Sequence, residues 1–420
     1  MVTIQPSPAA RGGASIGFTE FVVLAAAMMS TQAFAIDGML PALPIIVRAL
    51  NVAEENHGQW IVTAYMVGLG IGQLFWGLMS DRYGRRPVLL GGLALYVLAA
   101  VLSGLTDSFA ALLFWRVTHG LAAASVVVTR SVIRDLYSGR HMARVMSLTF
   151  MVFLTVPVIA PSVGQLILLL APWRYIFIVF GGFAALVWLW ALLRLPETLH
   201  PEYRLSLTRN RIASAVRLVV GNRTSRFYTL AMGVMFGSIL AYVGMVQQIF
   251  AEVFHRATLM PAMFALCAIS MGAGAFLNSR IVERIGMRFI SHTALLSFIA
   301  VTIVHVLVAT LGTEKLWTFV LLQSVTMACF SLSVSNFGAM AMEPVGSVAG
   351  IGASLQGFVS TSGGAIVGAV IGRQFGGSTV PLAAGTLCCG AAGLLFVLLA
   401  ENGRLFQRHH IASTAAHRGS

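Results

Sequence analysis

Twelve strongly apolar stretches, each near twenty residues and divided by short polar breaks, run the length of this chain and leave it one kind of fold. A helix needs roughly 20 apolar residues to cross a hydrocarbon core, and within lipid only helices and closed barrels satisfy their own backbone. The stretches lie at 20–46, 57–79, 87–105, 109–133, 145–170 and 174–194, then at 227–250, 260–281, 288–310, 316–340, 348–371 and 379–400. The expected fold class is therefore all-α and integral to the membrane, with twelve transmembrane helices in two six-helix halves. Hydrophobic residues make up 58% of the 420 and charged residues only 10%, so no large soluble domain fits between the spans. The first stretch is too long for a signal peptide and is followed by further spans. The expected division is a tail at 1–19, a half at 20–194, a linker at 195–226, a second half at 227–400 and a tail at 401–420.

Basic residues set the orientation, because short loops rich in Lys and Arg stay on the cytoplasmic side. With the N-terminus inside, twenty-one of the 27 Lys and Arg residues fall in inner segments: Arg11; Arg82, Arg85 and Arg86; Arg130, Arg134, Arg140 and Arg144; seven from Arg194 to Arg226; Arg280, Arg284 and Arg288; and Arg404, Arg408 and Arg418. The outer segments hold Arg48, Arg174, Arg256, Lys315 and Arg373, and Arg116 falls inside a span. Both termini are expected in the cytoplasm. The formal charge of +13 is then accounted for by loops that meet anionic lipid heads, with no nucleic-acid partner.

The polar break from Pro196 to Arg226 is the natural joint between the halves. Either it is a plain tether, or Ser206 caps an amphipathic helix ending at Gly221, with Leu207, Ile212, Val216, Leu218 and Val219 on the membrane and Arg209, Arg211 and Arg217 in water. Cys267, Cys329, Cys388 and Cys389 lie in spans without the spacing of a metal site and read as small apolar residues. His119, one turn from Arg116, reads as a packing residue. No cofactor is expected. The chain lacks H-E-x-x-H, G-x-S-x-G and paired intramembrane acids, which argues against an enzyme, and it lacks a P-loop, so energy must come from an ion gradient.

Asp37 is the acid that most invites a role, since it interrupts an apolar run from Phe21 to Leu50. A carboxylate there opposes a desolvation cost of several kcal/mol and usually marks an ion or substrate pathway, unless it sits wet at the mouth of the helix. Glu20, nearer the inner end of the same span, is a candidate second acid. Between spans two and three stands Gly77-Leu78-Met79-Ser80-Asp81-Arg82-Tyr83-Gly84-Arg85-Arg86-Pro87-Val88-Leu89. Asp81 can attract a neighbouring helix N-terminus, Gly84 permits a tight reversal, and Arg82, Arg85 and Arg86 can hold lipid phosphate or a carboxylate such as Asp135, so the loop reads as a latch on one conformation.

This loop resembles the signature G-x-x-x-D-(R/K)-x-G-R-(R/K) of the major facilitator superfamily, and the resemblance runs over the whole chain. Its details are similar to the twelve-span drug:proton antiporters of the bicyclomycin and chloramphenicol resistance (Bcr/CflA) type. Ala35-Ile36-Asp37-Gly38-Met39-Leu40-Pro41-Ala42-Leu43-Pro44 resembles the group's A-I-D-M-Y-L-P-A-L-P, with Gly38 and Met39 in place of Met-Tyr. Arg116, in Phe114-Trp115-Arg116-Val117-Thr118-His119-Gly120, occupies the position that the family links to proton transfer. A guanidinium keeps its proton, so the implied role is to tune a carboxylate: loss of water favours the neutral acid, an arginine alongside favours the anion, and alternation between them is a switch. The other reading has Arg116 bonding only backbone carbonyls. Pro157-Val158-Ile159-Ala160-Pro161-Ser162-Val163-Gly164-Gln165 resembles the antiporter motif G-x-x-x-G-P-x-x-G-G. Pro161 and Gly164 match, Ala160 and Gln165 depart, and Pro157 precedes them on the same kinked surface.

The second half repeats the plan in Asn278-Ser279-Arg280-Ile281-Val282-Glu283-Arg284-Ile285-Gly286-Met287-Arg288, as alternating-access carriers do. Glycines of span eleven (Gly350, Gly352, Gly357, Gly363, Gly364 and Gly368) are expected to pack against the Asp81 latch. Met29, Gln32, Phe34, Tyr65, Met66, Tyr242, Gln247 and Asn336 are the expected lining of a substrate cavity. The latch is expected to comprise Gly77, Asp81, Arg82, Gly84, Arg85, Arg86, Arg134 and Asp135. The implied protein is a monomeric, proton-driven exporter of drug-like small molecules in the bacterial cytoplasmic membrane, coupled through Asp37 and Arg116. The alternative is a carrier of one metabolite or siderophore on the same fold.

Overall fold

The computed structural model describes residues 16–52, 55–137, 139–200, 202 and 209–406, and among them every regular element is helical. The first six long helices are α1 (Phe18–Ala49), α2 (Gln59–Tyr83), α3 (Arg85–Leu105), α4 (Phe109–Leu136), α5 (Gly139–Leu170) and α6 (Arg174–Arg194). The second six are α7 (Arg223–Val253), α8 (Ala257–Ile285), α9 (Met287–Thr310), α10 (Leu316–Gly346), α11 (Gly350–Gly372) and α12 (Val380–Ala400). Eleven of these are apolar and long enough to cross a membrane. The remaining one, α5, has 32 residues, about 48 Å of helix at 1.5 Å per residue.

A linker helix (Arg209–Gly221) joins the sets. Its Ala215 and Val219 are buried, and it packs on α11 and α7. Ile212 and Leu218, expected on the membrane, border an internal cavity instead, because the helix docks on protein. Ser206, Leu207, and the tails at 1–15 and 407–420 lie outside the described residues.

Packing repeats between the sets. In the first, α2 packs on α4, α3 on α4 and α6, and α1 on α5 and α6; in the second, α8 packs on α10, α9 on α10 and α12, and α7 on α11 and α12. The seams between sets are α2 with α11 and α5 with α8, which exchange under the same pairing and so obey a pseudo-twofold axis. Glycine allows the closest approaches: a Cβ on Gly68 or Gly72 of α2 would fall on the backbone of α4, and one on Gly120 of α4 on the Tyr65 carbonyl.

Breaks in the helices follow from composition. Pro41 and Pro44 lack the N–H that a continuing helix needs, so α1 stops at Asp37, passes through a 3-10 turn at Leu40–Ala42 and resumes at Leu43. Gly84 and Gly286, at φ +107° and +91°, make the sharp reversals α2–α3 and α8–α9 at equivalent places in the two sets.

The apolar core is divided in a telling way. One cluster draws on both sets, joining Leu40, Leu43, Ile46 and Ile61 to Tyr242, Val246, Phe250 and Phe319. Two further clusters stay within single sets, one around Phe21, Leu24, Val132 and Leu195, the other around Tyr228, Met235, Leu295 and Met340. The halves are therefore sealed together at the face away from the arginine-rich loops and stand apart at the basic face.

Candidate functional site

Between the two separated clusters lies a cavity of about 1220 Å³, larger than the roughly 300–1,000 Å³ of an ordinary small-molecule pocket. It is bounded by α1, α2 and α4 from one half, α7, α10 and α11 from the other, and the linker helix across its edge. Met29, Gln32, Phe236, Met232 and Gln356 give it a mixed apolar and amide surface. Its far end is closed by contacts between halves: Gln59 donates to Gln248 Oε1 at 3.2 Å and to the Gly372 carbonyl at 3.0 Å. Further along the same seam, Ser362 donates to the Val67 carbonyl at 3.3 Å.

Asp37 is the last residue of the first segment of α1 and is 7% exposed, and no described residue bonds or pairs with its carboxyl group. It sits five residues past Gln32, about 7.5 Å further along α1 on the sealed side of the cavity. Gly164 of α5 positions this turn: a Cβ there would fall on the Gly38 carbonyl oxygen, so only glycine lets α5 lie against the backbone next to the acid. Pro161 lies buried in the same stretch of α5, while the side chain of Pro157 is outside the described set.

Arg116 is fully buried on α4. Its Nε donates to the Ile61 carbonyl at 3.2 Å and its Nη2 to the Ala35 carbonyl at 3.0 Å. Nη1 lies 3.1 Å from His119 Nδ1. Because a guanidinium only donates, His119 Nδ1 must accept, which places the imidazole proton on Nε2, where it finds no partner among the described residues. The guanidinium also lies 4.4 Å from the centre of the Tyr65 ring, and Tyr96 stacks edge-on to His119 at 4.1 Å while donating to the Thr31 carbonyl at 2.7 Å. Arg116 and Asp37 form no ion pair. The arginine instead holds the carbonyl two residues before the acid, one that the end of a helix leaves without its own donor. His119, read from sequence as packing, is thus part of this cluster; its i, i+3 spacing from Arg116 was the available signal.

The loop at Gly84 carries a compact polar network. Arg85, 4% exposed, pairs with Asp81 and, at 3.1 Å, with Asp135, and donates to Ser80 at 2.8 Å. Glu197 accepts the backbone N–H of Arg85 at 2.9 Å and of Arg86 at 3.3 Å, and Thr198 donates to Asp135 at 3.1 Å. Glu197 and Thr198 escaped the sequence reading; the signal was an acid three residues after α6 in a linker rich in arginine. Arg82 stacks over Tyr83 at 5.2 Å. Gly77, Asp81 and Arg134 line the cavity, and Arg134 makes no hydrogen bond or ion pair with a described residue of the network. Of the α11 glycines, Gly357 meets Gln73 of α2, about one turn before Gly77, whereas Gly364 meets Phe236 and Gly368 meets Leu240 of α7, within their own half. In the second half Glu401 matches Glu197, accepting from Arg288 at 2.8 Å and Tyr228 at 2.7 Å.

Of the expected cavity residues, Met29 and Gln32 line the large cavity. Met66 lies at a small gap beside the sealed seam. Phe34 stacks on Phe180 at 5.1 Å, Tyr65 is inside the Arg116 cluster, and Tyr242 stacks on Phe264 at 5.8 Å. Gln247 borders neither space, and Asn336 bonds Asn278 at 2.7 Å. Phe34, Tyr65, Tyr242 and Asn336 have their partners within one half, which spacing along a helix does not reveal. Glu20 accepts from Arg194 at 2.6 and 2.7 Å and from Trp190 at 3.2 Å, so this acid is held in a fork rather than left free.

Two pseudo-symmetric sets of six helices around a cavity open at one face define a multi-pass membrane carrier of the alternating-access type. The Major Facilitator Superfamily profile matches residues 22–369, and the chain belongs to that family. It is 28% identical over 398 residues to the multidrug resistance protein MdtL of Klebsiella pneumoniae (strain 342), covering 93% of this chain and 97% of the relative. It is 27% identical over 364 residues to the bicyclomycin resistance protein homolog of Haemophilus influenzae, covering 86% and 91%. The xylose transporter XylE from E. coli, in its partially occluded inward open conformation, shares the fold with a TM-score of 0.70 at 13% identity over 94% of this chain and 99% of that one.

Proposed function

We propose that this chain exports drug-like small molecules across the bacterial cytoplasmic membrane in exchange for protons, with its basic face and both termini in the cytoplasm. The observation that carries the reading is Asp37: a carboxyl group without a partner among the described residues, at the break in α1, sealed from a large cavity that opens on the other side. Full-length relatives named for multidrug and bicyclomycin resistance support the export of several compounds over a single metabolite. In this conformation substrate enters from the cytoplasm while Asp37 is shut away. Rocking of the halves parts the seam at Gln59, Gln248 and Gly372, closes the basic face and brings outer water to Asp37. Protonation there accompanies release of substrate, and the return swing delivers the proton inward. Arg116 ties α1 and α2 to α4 through the Ala35 and Ile61 carbonyls, so a change at Asp37 reaches the helix that lines the cavity. The Arg85 network holds the first half rigid during the swing, Pro161 and Gly164 give α5 the surface that slides past α1, and Arg82 meets anionic lipid.

The test uses inside-out vesicles with an acidified lumen and a fluorescent pH probe. Several unrelated antibiotics should each raise lumenal pH in the native protein, and Asp37→Asn should cut the response at least tenfold while the protein remains in the membrane. A response to one metabolite alone, or a full response in Asp37→Asn, would overturn the proposal.

A further inference from the structure

The cavity holds two arginines that nothing else in the described protein uses. Arg130 and Arg134 sit one turn apart on α4, both exposed and both on the cavity wall, and neither makes a hydrogen bond or ion pair with any described residue. The acids that could answer them are committed: Asp81 and Asp135 to Arg85, and Glu197 to the backbone of the Gly84 turn. An unpaired cation within a membrane-spanning helix marks a pathway or binding site by default, and two like charges at i, i+4 repel unless an anion sits between them. Arg130 is the deeper of the two, about 7.5 Å inward of Asp135 along the helix. Gln32, Gln73 and Gln356 line the same space, beside Met and Phe side chains, with their amide N–H groups engaged by the Ala123 carbonyl, Thr361 and the Gly338 carbonyl.

From this geometry we infer that Arg130, assisted by Arg134, forms an anion-binding subsite, and that the preferred cargo is an amphipathic organic anion, a carboxylate on an aromatic body. This rests on the reading of the cavity as the substrate chamber. A guanidinium fork grips a carboxylate in a way it cannot grip an amide or an ammonium group, so lipophilic cations of the same size are disfavoured.

Binding to the purified full-length protein in uncharged detergent, with no proton gradient, separates this inference from the exporter reading. The probes are naphthalene-2-carboxylate, naphthalene-2-carboxamide and naphthalen-2-ylmethylammonium. The carboxylate should bind at least tenfold more tightly than the amide and the ammonium weakest. Arg130→Gln should erase the preference while leaving amide affinity unchanged, Arg130→Lys should restore part of it, and Arg134→Gln should reduce it two- to fivefold. Equal affinity for carboxylate and amide in the native protein would overturn the subsite, as would an Arg130→Gln protein that loses both ligands equally. Displacement of the carboxylate by phosphatidylglycerol at bilayer abundance would also overturn it, by assigning Arg130 to lipid headgroups. A carboxylate preference without proton-linked transport would uphold the subsite and refute the exporter reading; proton-linked transport with no such preference would do the reverse.

Discussion

Arg116 shows how much one side chain can fasten. Its three donor groups reach α1, α2 and its own helix, while Tyr65 covers its charged plane. The resemblance to known antiporters placed an arginine here and implied that it tunes a carboxylate, whereas the structure shows it bonded to backbone carbonyls and His119. Lysine presents a point charge in place of a planar fork and cannot serve all three acceptors. Arg116→Lys should therefore lower stability by about 1–3 kcal/mol, the cost of leaving a buried carbonyl without its donor, seen as a lower thermal unfolding midpoint in detergent. His119→Gln keeps an acceptor for Arg116 Nη1 and should fall less than half as far. An Arg116→Lys protein as stable as the native one would mean the three bonds carry no net weight.

Among the helices, glycines decide where the acid lies. Gly164 touches the backbone beside Asp37, and Gly120 touches the backbone of Tyr65. A valine at either place must push two helices apart, and overpacking of this kind costs typically 1–3 kcal/mol. Gly164→Val should abolish proton-linked transport and lower the unfolding midpoint, whereas Gly182→Val, at a position with open space around it, should do neither. The Gly84 turn gives a second prediction. Glu197→Gln keeps one oxygen for the backbone N–H groups of Arg85 and Arg86 but loses the charge, while Glu197→Ala loses both. Unfolding midpoints should fall in the order native, Gln, Ala, with the Ala protein down by about 1–3 kcal/mol.

At the scale of the whole molecule, the two halves touch through one apolar cluster and a short line of amides and glycines. Rigid-body rocking requires this seam to open in each cycle. Cysteines placed at Gln59 and Gln248, in a protein whose four native cysteines are replaced by alanine, should crosslink under mild oxidation. Transport should stop on oxidation and return with reductant; undiminished transport by the crosslinked protein would show that the seam stays closed throughout.

Twelve spans, two halves, the acid in α1 and the turn at Gly84 were legible in the sequence, because each is dictated locally: by the length of apolar runs, by a charge within one, by prolines that stop a helix and by a glycine that reverses the chain. The division of charges among partners was not. Glu197 lies 112 residues from Arg85, Ala35 lies 81 from Arg116, and Glu401 lies 113 from Arg288. Nor did helical spacing distinguish Gln32, which faces the cavity, from Tyr242, which faces Phe264. A buried polar group bonds whichever neighbour the packed helices bring within reach, so those pairings, and the two arginines left without one among the described residues, exist only once the helices have assembled.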